Sequence, residues 1–317
     1  MTEPGPYVHH LSPFVWQITE NFGVRWYGLA YVLGFLAAIL LLRFLVRKGC
    51  SELTEEQAPD FIIFGALFGV MLGGRLGYML FYDFHDFIRR PWIIVNLLGG
   101  GMSSHGGILG LFFFTLYYAR RHKLSWAGLG DNLVTVSAVG LFLGRIANFI
   151  NGELYGHPTR GWWGVVFPRA AGDLPEPQRS ELLTRLGAPN VESLVALSRQ
   201  SAEVRAQLAQ ALEPRHPSQL YEAGLEGLFL FAVLFAVRLR WKNLYHGILT
   251  GLFFILYAVV RIGVENVRVP DAAPILGITR GQFYSAFMIL IGAAFIVRAL
   301  KTKRRNQPPK AAAKAAG

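Results

Sequence analysis

The segment GRIANFINGELYG, residues 144–156, places an arginine, two asparagines and a glutamate at the end of an apolar stretch. Arg145 and Asn148 are three residues apart, so both lie on one face of a helix. In a poorly hydrated site, a guanidinium binds a phosphate or carboxylate through paired, charge-assisted hydrogen bonds. Polar and ionisable side chains within an apolar segment are typical of a functional site in a membrane protein.

A second polar block lies in YAVVRIGVENVRVPD. Tyr257, Arg261 and Glu265 step by four residues and therefore share a helical face, and Arg268 follows them. His105 stands in the glycine-rich stretch GGGMSSHGG, and an imidazole with the ordinary pKa of about 6.5 suits proton transfer. The other polar residues in or beside apolar segments are Tyr27, Arg75, Asn151, Glu153, His216, Ser218, Gln219 and Glu222.

The composition is that of an integral membrane protein. The chain has 317 residues, of which 53% are hydrophobic and only 16% charged, and its mean hydropathy is +0.36. A helix needs roughly 20 mostly apolar residues to span a bilayer. Seven such windows occur, at about Trp26–Leu45, Phe61–Phe81, Ser104–Ala119, Leu133–Ile150, Leu220–Val237, Gly247–Val264 and Phe283–Val297.

The predicted fold is therefore an all-α bundle of about seven transmembrane helices. Before the third helix, PWIIVNLLGGGMSSHGGILG is too short to span and predicts a re-entrant or partial segment. The predicted organisation is a periplasmic N-terminal segment, 1–24; helices one to four with a site loop at 99–107, 25–156; a periplasmic subdomain with helical patterns, 157–217; helices five to seven, 218–299; and a basic, disordered cytoplasmic tail, 300–317.

The distribution of cations predicts the orientation. Sixteen Lys and Arg follow the odd-numbered windows, Arg238 among them, and five lie in the short loops of the opposite side. Because cytoplasmic loops are rich in Lys and Arg, the N terminus is expected in the periplasm and the C terminus in the cytoplasm. All the polar groups above then fall on the periplasmic side. The net charge of +11 reflects topology and contact with anionic lipid, and no nucleic-acid partner is expected.

Each polar residue also has a purely structural explanation. Arg261 and Glu265 could form an ion pair that stabilises the bundle. His105 could be a hydrogen-bonded histidine of the core, and the asparagines could form interhelical hydrogen bonds. These explanations account less well for the fact that all these residues share one depth. A shared site is therefore the favoured hypothesis.

Glycines and the remaining motifs predict structure rather than chemistry. Glycines at 65, 69, 73 and 77 predict a close-packing seam along the second helix. The single cysteine, Cys50, excludes an internal disulfide. No HExxH motif, cysteine pair or carboxylate cluster is present in the sequence, so no metal or cofactor is expected.

These blocks together resemble the bacterial prolipoprotein diacylglyceryl transferases. GRIANFINGELYG is similar to the family signature, and RWYGLAY, GGRLGY, GGGMSSHGG, RHPSQLYE and YAVVRIGVENVRVPD agree in order from about Arg25 to Val297. Ile108 stands where the family usually has leucine, and the 157–217 segment is long and Arg-rich, so no family role is carried onto it. The resemblance implies transfer of the diacylglyceryl group of phosphatidylglycerol to the lipobox cysteine of a preprolipoprotein, with release of glycerol phosphate.

The implied site is assigned residue by residue. Arg145 and Arg261 would grip the phosphate, with Arg75 as a further candidate. His105 would serve as base or proton shuttle for the thiol, which attacks only as thiolate, and Glu153 or Tyr257 would orient it. Tyr27, Asn148 and Asn151 would position head group and peptide, Gly156 would permit close backbone approach, and Glu265 and Arg268 would support the site. The resemblance also implies a location in the bacterial inner membrane.

Three other classes of membrane protein would require different residues. A transporter or channel for an anionic or protonated solute would carry a polar path on to the cytoplasmic face, and the inner halves of the windows have few polar residues. A retinal-type receptor would need a lysine in the last window. A membrane serine protease using Ser103 or Ser104 with His105 would leave the arginines unexplained.

Overall fold

Long apolar helices dominate the architecture. A computed structural model of the chain describes residues 5–19, 22–95, 101–270 and 273–305. Among these residues, six helices are long and apolar enough to cross a membrane. They are α1 (Trp26–Arg47), α2 (Gln57–Phe81), α5 (Trp126–Asn151), α9 (Ser218–Arg240), α10 (Ile248–Glu265) and α11 (Arg280–Thr302).

The shorter elements lie between these spans. They are β1 (Tyr7–Val8), β2 (Phe14–Gln17), β3 (Gly23–Arg25), α3 (Phe84–Arg89), α4 (Ser104–His122), β4 (Val165–Val166), α6 (Gln178–Arg185), α7 (Val191–Gln200) and α8 (Ala202–Ala211). Six of the seven predicted windows therefore form apolar spans. The third window forms α4, which is less apolar and is not among the six. Pro91–Val95 form a short 3-10 helix, and the rest of the predicted re-entrant segment, 96–100, lies outside the described residues, as do positions 306–317 of the predicted tail.

The chain divides into two units, each considered by itself. Unit 1 comprises the described residues of Met1–Leu33, Ala138–Leu230 and Ile255–Ile289, and unit 2 those of Gly34–Ser137, Phe231–Phe254 and Leu290–Gly317. The 157–217 segment lies within unit 1.

In unit 1, the residues between α5 and α9 have an apolar core of their own. β1 pairs in parallel with β4, so that Val8 lies opposite Val166. Helices α7 and α8 begin where the side chains of Asn190 and Ser201 accept hydrogen bonds from main-chain N–H groups two to three residues into each helix. The core contains Val8, Val166, Ala171, Leu182, Leu186, Ala188, Leu194, Leu208 and Leu212.

In unit 2, the predicted glycine seam is confirmed. Helix α2 contains a π-helical turn at Gly65–Met71 and packs against α4 with backbone in contact with backbone. A methyl group added at Gly73 would lie 2.8 Å from the Gly110 Cα atom, and one at Gly69 would lie 3.0 Å from the Leu111 Cα atom. Only glycine allows the two helices this close an approach.

A buried polar network ties together three segments of unit 2. The Asp131 carboxylate accepts hydrogen bonds from the main-chain N–H groups of Gly247 and Thr250, at 2.7 Å each, and from the Thr250 hydroxyl at 2.8 Å. Asp131 thus caps the first turn of α10 from another helix. Arg238 donates to the Asn132 side-chain oxygen at 2.6 Å and lies 3.9 Å from Asp131. Arg238, counted above among loop cations, is instead a buried residue of α9.

Removing Asp131 should destabilise the protein. Asp131→Ala leaves three donors without their acceptor and Arg238 without its nearby anion, so we expect the free energy of unfolding to fall by about 3–5 kcal/mol. Denaturant titration of the purified protein in detergent measures the loss. The control is Asp86→Ala, because Asp86 is exposed, and a change within about 0.5 kcal/mol is expected there. Equal stability of the two variants would contradict the proposed role of the network.

Candidate active site

A cluster of charged side chains forms where three helices of unit 1 bring polar residues together. Arg145 comes from the last turns of α5, and Glu222 and Glu226 come from α9. Helix α10 contributes the predicted face of Tyr257, Arg261 and Glu265, and Arg268 follows its end. In α9 the segment Ala223–Phe229 is π-helical, a local widening that is frequent at functional sites.

The cations and anions of this cluster alternate. Arg145 contacts Glu222 through Nε at 2.8 Å and donates from Nη2 to Glu226 at 3.2 Å. Arg261 donates from Nη1 to Glu226 at 3.4 Å and contacts Glu265 through Nη2 at 3.0 Å. Nη1 of Arg261 also lies 3.6 Å from Glu222. Each guanidinium therefore bridges at least two carboxylates, which a lysine ammonium cannot do with the same geometry.

Arg268 extends the cluster. Its Nη1 donates to Glu222 at 2.9 Å, and the residue is buried. Arg261 and Glu265 do form the ion pair that the structural explanation expects. The same arginine also contacts Glu226, so the pair belongs to a larger assembly.

Accessibility differs within the cluster, and its two most exposed members are both cations. The side chains of Arg145 and Arg261 are 19% and 14% exposed, whereas that of Glu226 is 0% exposed and Glu222 is equally sealed. The open side of the cluster is therefore positive. The hydrogen bond and ion pairs of Arg145 with protein groups in the described part of the chain are made by Nε and Nη2, so the N–H donors of Nη1 are left for an anionic ligand.

A second group of polar side chains, hydrogen-bonded around the Glu153 carboxylate, lies beside the end of α5. Asn148 donates from Nδ2 to the Tyr27 hydroxyl at 2.6 Å and to the Glu153 carboxylate at 2.9 Å, and Asn151 donates to the same carboxylate at 3.4 Å. Gln219 donates to the Glu153 carbonyl at 2.6 Å. These contacts lock Asn148 and Tyr27 in single orientations, as groups that position a substrate require.

Gly156 lies in tight contact with two other segments. Its N–H donates to the His216 carbonyl at 2.8 Å, and it forms a bridge with Arg268. A Cβ atom here would overlap the Val267 carbonyl oxygen and lie 2.8 Å from the His216 Cβ atom. Gly156 thus allows the approach that sets the position of Arg268.

The wall beside Gly152 is aromatic. His9 stacks on Phe167 and meets Phe149 edge-on, with ring centroids 5.4 and 5.5 Å away. Burial lowers the pKa of His9 to about 4, so the ring is neutral at neutral pH and packs as an apolar group. Burial and the neighbouring Asp173 raise the pKa of Tyr155.

Two predicted site residues belong to unit 2. His105 lies exposed in the first turn of α4, which begins after Ser103 caps the Gly106 N–H at 3.2 Å. Arg75 is buried in α2 and donates to the Gly101 carbonyl at 2.9 Å. Ser103 thus has a structural role as a helix cap, and Arg75 holds the end of the glycine-rich loop.

Sequence reasoning gave Glu222 no role and did not single out Glu226. A signal was present, because two carboxylates four residues apart in an apolar segment share one helical face. Eleven residues of unit 1 take part in these side-chain contacts. They include every predicted site residue except His105, Arg75 and Gly156, and they add these two glutamates. The eleven are Tyr27, Arg145, Asn148, Asn151, Glu153, Glu222, Glu226, Tyr257, Arg261, Glu265 and Arg268.

Six helices that are long and apolar enough to cross a membrane fit a multi-pass membrane protein, and the accessible side of its buried charged cluster is positive. The family model for prolipoprotein diacylglyceryl transferase matches residues 13–298. The chain therefore belongs to the prolipoprotein diacylglyceryl transferase family.

Curated relatives agree with the family match. The chain is 38% identical over 294 residues to the phosphatidylglycerol–prolipoprotein diacylglyceryl transferase of Stenotrophomonas maltophilia (strain R551-3), covering 92% of each chain. It is 39% identical over 291 residues to the protein of that name from Xylella fastidiosa (strain 9a5c), covering 90% of this chain and 92% of the relative. The corresponding Bdellovibrio bacteriovorus protein (strain HD100) is 36% identical over 332 residues, covering 92% and 93%.

Substitution of Gly156 should disable the site. In Gly156→Ala the added methyl group must push apart the Val267 and His216 segments, so we expect kcat/KM to fall at least about tenfold and stability by about 1–3 kcal/mol. Gly144→Ala in the same motif is the matched control, because a Cβ there meets nothing within 4 Å. Diacylglyceryl transfer and thermal unfolding of both purified variants are the measurements. A loss as large in Gly144→Ala would show that the effect is not one of close approach.

Proposed function

We propose that this chain transfers the diacylglyceryl group of phosphatidylglycerol to the thiol of the lipobox cysteine of preprolipoproteins, the first step of lipoprotein maturation. A carbon–sulfur bond forms and the bond between the glyceryl carbon and the phosphate oxygen breaks, leaving glycerol phosphate. The phosphate oxygen keeps the bonding electron pair, and the thiol proton ends on the released phosphate monoester. Family membership and the positive, accessible side of the Arg145–Arg261 cluster support this proposal.

The arginines would act mainly as the bond to phosphate breaks. The phosphodiester carries one negative charge, and the departing monoester develops a second before it is protonated. Arg145 and Arg261 are fixed by carboxylates before substrate arrives, so they need no reorganisation when that charge appears. Donors arranged in advance around a developing anion lower the barrier more than mobile ones do.

The other assignments follow the same reaction. Tyr27, Asn148, Asn151 and Glu153 would position the head group and the peptide. Glu265 would hold Arg261, while Tyr257 and Arg268 would hold the carboxylates of Glu226 and Glu222 that contact the arginines. His105 would take the thiol proton or shuttle it, and Arg75 would hold the loop before α4 and remains a further candidate for phosphate. These roles are proposals drawn from side-chain chemistry and from the contacts within each unit.

The membrane arrangement is proposed on the same basis. Helix α4 would be the seventh span of the bundle, and the segment before it would enter the bilayer only partly. The N terminus would face the periplasm and the C terminus the cytoplasm of a bacterial inner membrane, with 157–217 as a periplasmic subdomain. The excess of Lys and Arg after the odd-numbered spans supports this orientation.

The direct test uses the purified protein in detergent with phosphatidylglycerol and a lipobox peptide. Glycerol phosphate release and the mass of the peptide are followed together. The proposal expects release that requires the peptide cysteine, with a mass gain of one diacylglyceryl group. Release without peptide modification would overturn it in favour of a lipid hydrolase.

Arg145→Lys should abolish most activity with the fold retained. A lysine cannot span Glu222 and Glu226 and also present a donor to the phosphate, so we expect kcat/KM to fall at least about 100-fold. Arg179→Lys is the control, because Arg179 lies on α6 outside the charged cluster, with its side chain 39% exposed and paired with Glu176. Near-normal turnover by Arg145→Lys would exclude a bidentate role for Arg145.

His105→Gln should slow transfer most at low and neutral pH, where the thiol needs a base in order to ionise. We expect at least about a 100-fold loss of kcat/KM at neutral pH. The loss should shrink as the pH rises past about 8.5, where a free thiol ionises unaided. The pH profile of kcat/KM for the variant and the parent protein is the measurement. A loss of the same size at every pH would show that His105 does not handle the thiol proton.

A further inference from the structure

The arginine cluster is electrically balanced before any ligand arrives. Arg145, Arg261 and Arg268 supply three positive charges, and Glu222, Glu226 and Glu265 supply three negative ones. A phosphate that binds here adds at least one negative charge to a neutral site. The carboxylates and the phosphate therefore compete for the same cations.

The three carboxylates differ in what they hold. Glu222 contacts Arg145 at 2.8 Å and Arg261 at 3.6 Å, but it also contacts the buried Arg268 at 2.9 Å, so its charge is needed to keep that third cation in the interior. Glu265 pairs with Arg261 one helical turn away and packs against Gly281. Glu226 contacts both accessible arginines and no other cation among the described residues.

Glu226 lies at the centre of the functional side chains. Its Oε2 accepts hydrogen bonds from Arg145 Nη2 at 3.2 Å and from the Tyr257 hydroxyl at 3.3 Å, and its Oε1 accepts one from Arg261 Nη1 at 3.4 Å. These distances lie at the long end for charge-assisted hydrogen bonds. One carboxylate thus spans the same pair of guanidiniums that would hold the phosphate.

We propose that Glu226 is a positioning residue that acts as an internal anion: it occupies Arg145 and Arg261 in the empty site and competes with the phosphate of substrate and product for them. The inference rests on the proposed function of these arginines. In the empty site, the Glu226 carboxylate between the two guanidiniums holds both of them in place. After transfer, the same carboxylate weakens the binding of glycerol phosphate, which carries more negative charge than the phosphodiester of the substrate. The product therefore leaves more readily.

The competing role predicts a gain of binding when Glu226 loses its charge. In Glu226→Gln the side chain keeps its size while the cluster becomes positive by one charge. We expect the dissociation constant of glycerol phosphate to fall about tenfold or more, which corresponds to about 1.4 kcal/mol. We expect kcat to fall with it, because release of the product slows. If Glu226 only supported the fold, its replacement would weaken the binding of glycerol phosphate instead.

The measurement is isothermal titration of the purified full-length protein in detergent with glycerol phosphate, together with product inhibition in the transfer assay. The matched control is Glu176→Gln, which removes one charge from the exposed Glu176 and should leave both values unchanged. Unchanged or weaker binding by a folded Glu226→Gln protein would overturn the proposal.

A second variant covers a failure of Glu226→Gln to fold. Glu226→Asp keeps the charge but draws the carboxylate back from the guanidiniums, so glycerol phosphate should bind it more tightly than the parent protein by a smaller factor. Weaker binding by Glu226→Asp would overturn the proposal as well.

The two proposals can fail separately. If the parent protein binds glycerol phosphate and Glu226→Gln binds it more tightly, but no peptide is modified, then the internal anion stands and the transferase assignment fails. If transfer occurs and the Gln variant shows no tighter binding, the transferase assignment stands and the internal anion fails.

Discussion

Compensation of buried charge is the constraint on which the rest of the site depends. An unpaired guanidinium in a poorly hydrated interior is strongly unfavourable, and removing one partner of a buried pair leaves the other uncompensated. Arg268 is buried and Arg145 and Arg261 nearly so, so each requires a carboxylate at hydrogen-bond distance. The ends of α5, α9 and α10 must therefore meet in one register, and the fold of unit 1 around them follows from this requirement.

Helical geometry makes this register possible. Glu222 and Glu226 are four residues apart, as are Tyr257, Arg261 and Glu265, so each helix presents a short row of polar groups on one face. The π-helical turn at Ala223–Phe229 widens α9 where Glu226 lies. Gly156 then brings its segment against Val267 and so fixes the approach to Arg268.

The sequence predicts the spans, the glycine seam and most of the unit 1 site because each depends on spacing within a single helix. It does not give Glu226 a role, since periodicity tells which residues share a face but not which face of another helix they meet. Arg238 was misplaced for a related reason. A cation at the end of an apolar window looks like a loop residue until Asp131 and Asn132, from a segment distant in sequence, are found beside it. Whether His105 acts on the thiol depends on substrate geometry, which no spacing encodes.

Each unit contains a buried cluster of arginine and carboxylate side chains, and the two clusters differ in whether solvent reaches the arginines. In unit 2, Arg238 is as buried as Asp131, and that carboxylate is further occupied by main-chain N–H groups. An anion from solvent cannot reach so sealed a network, which therefore serves to hold segments together. In unit 1 the carboxylates are sealed, but Arg145 and Arg261 are partly exposed. An anion can reach these guanidiniums without first unfolding anything. Exposure of these two cations, with the carboxylates held behind them, is therefore what would allow a structural arrangement of ion pairs to serve as the proposed binding site for phosphate.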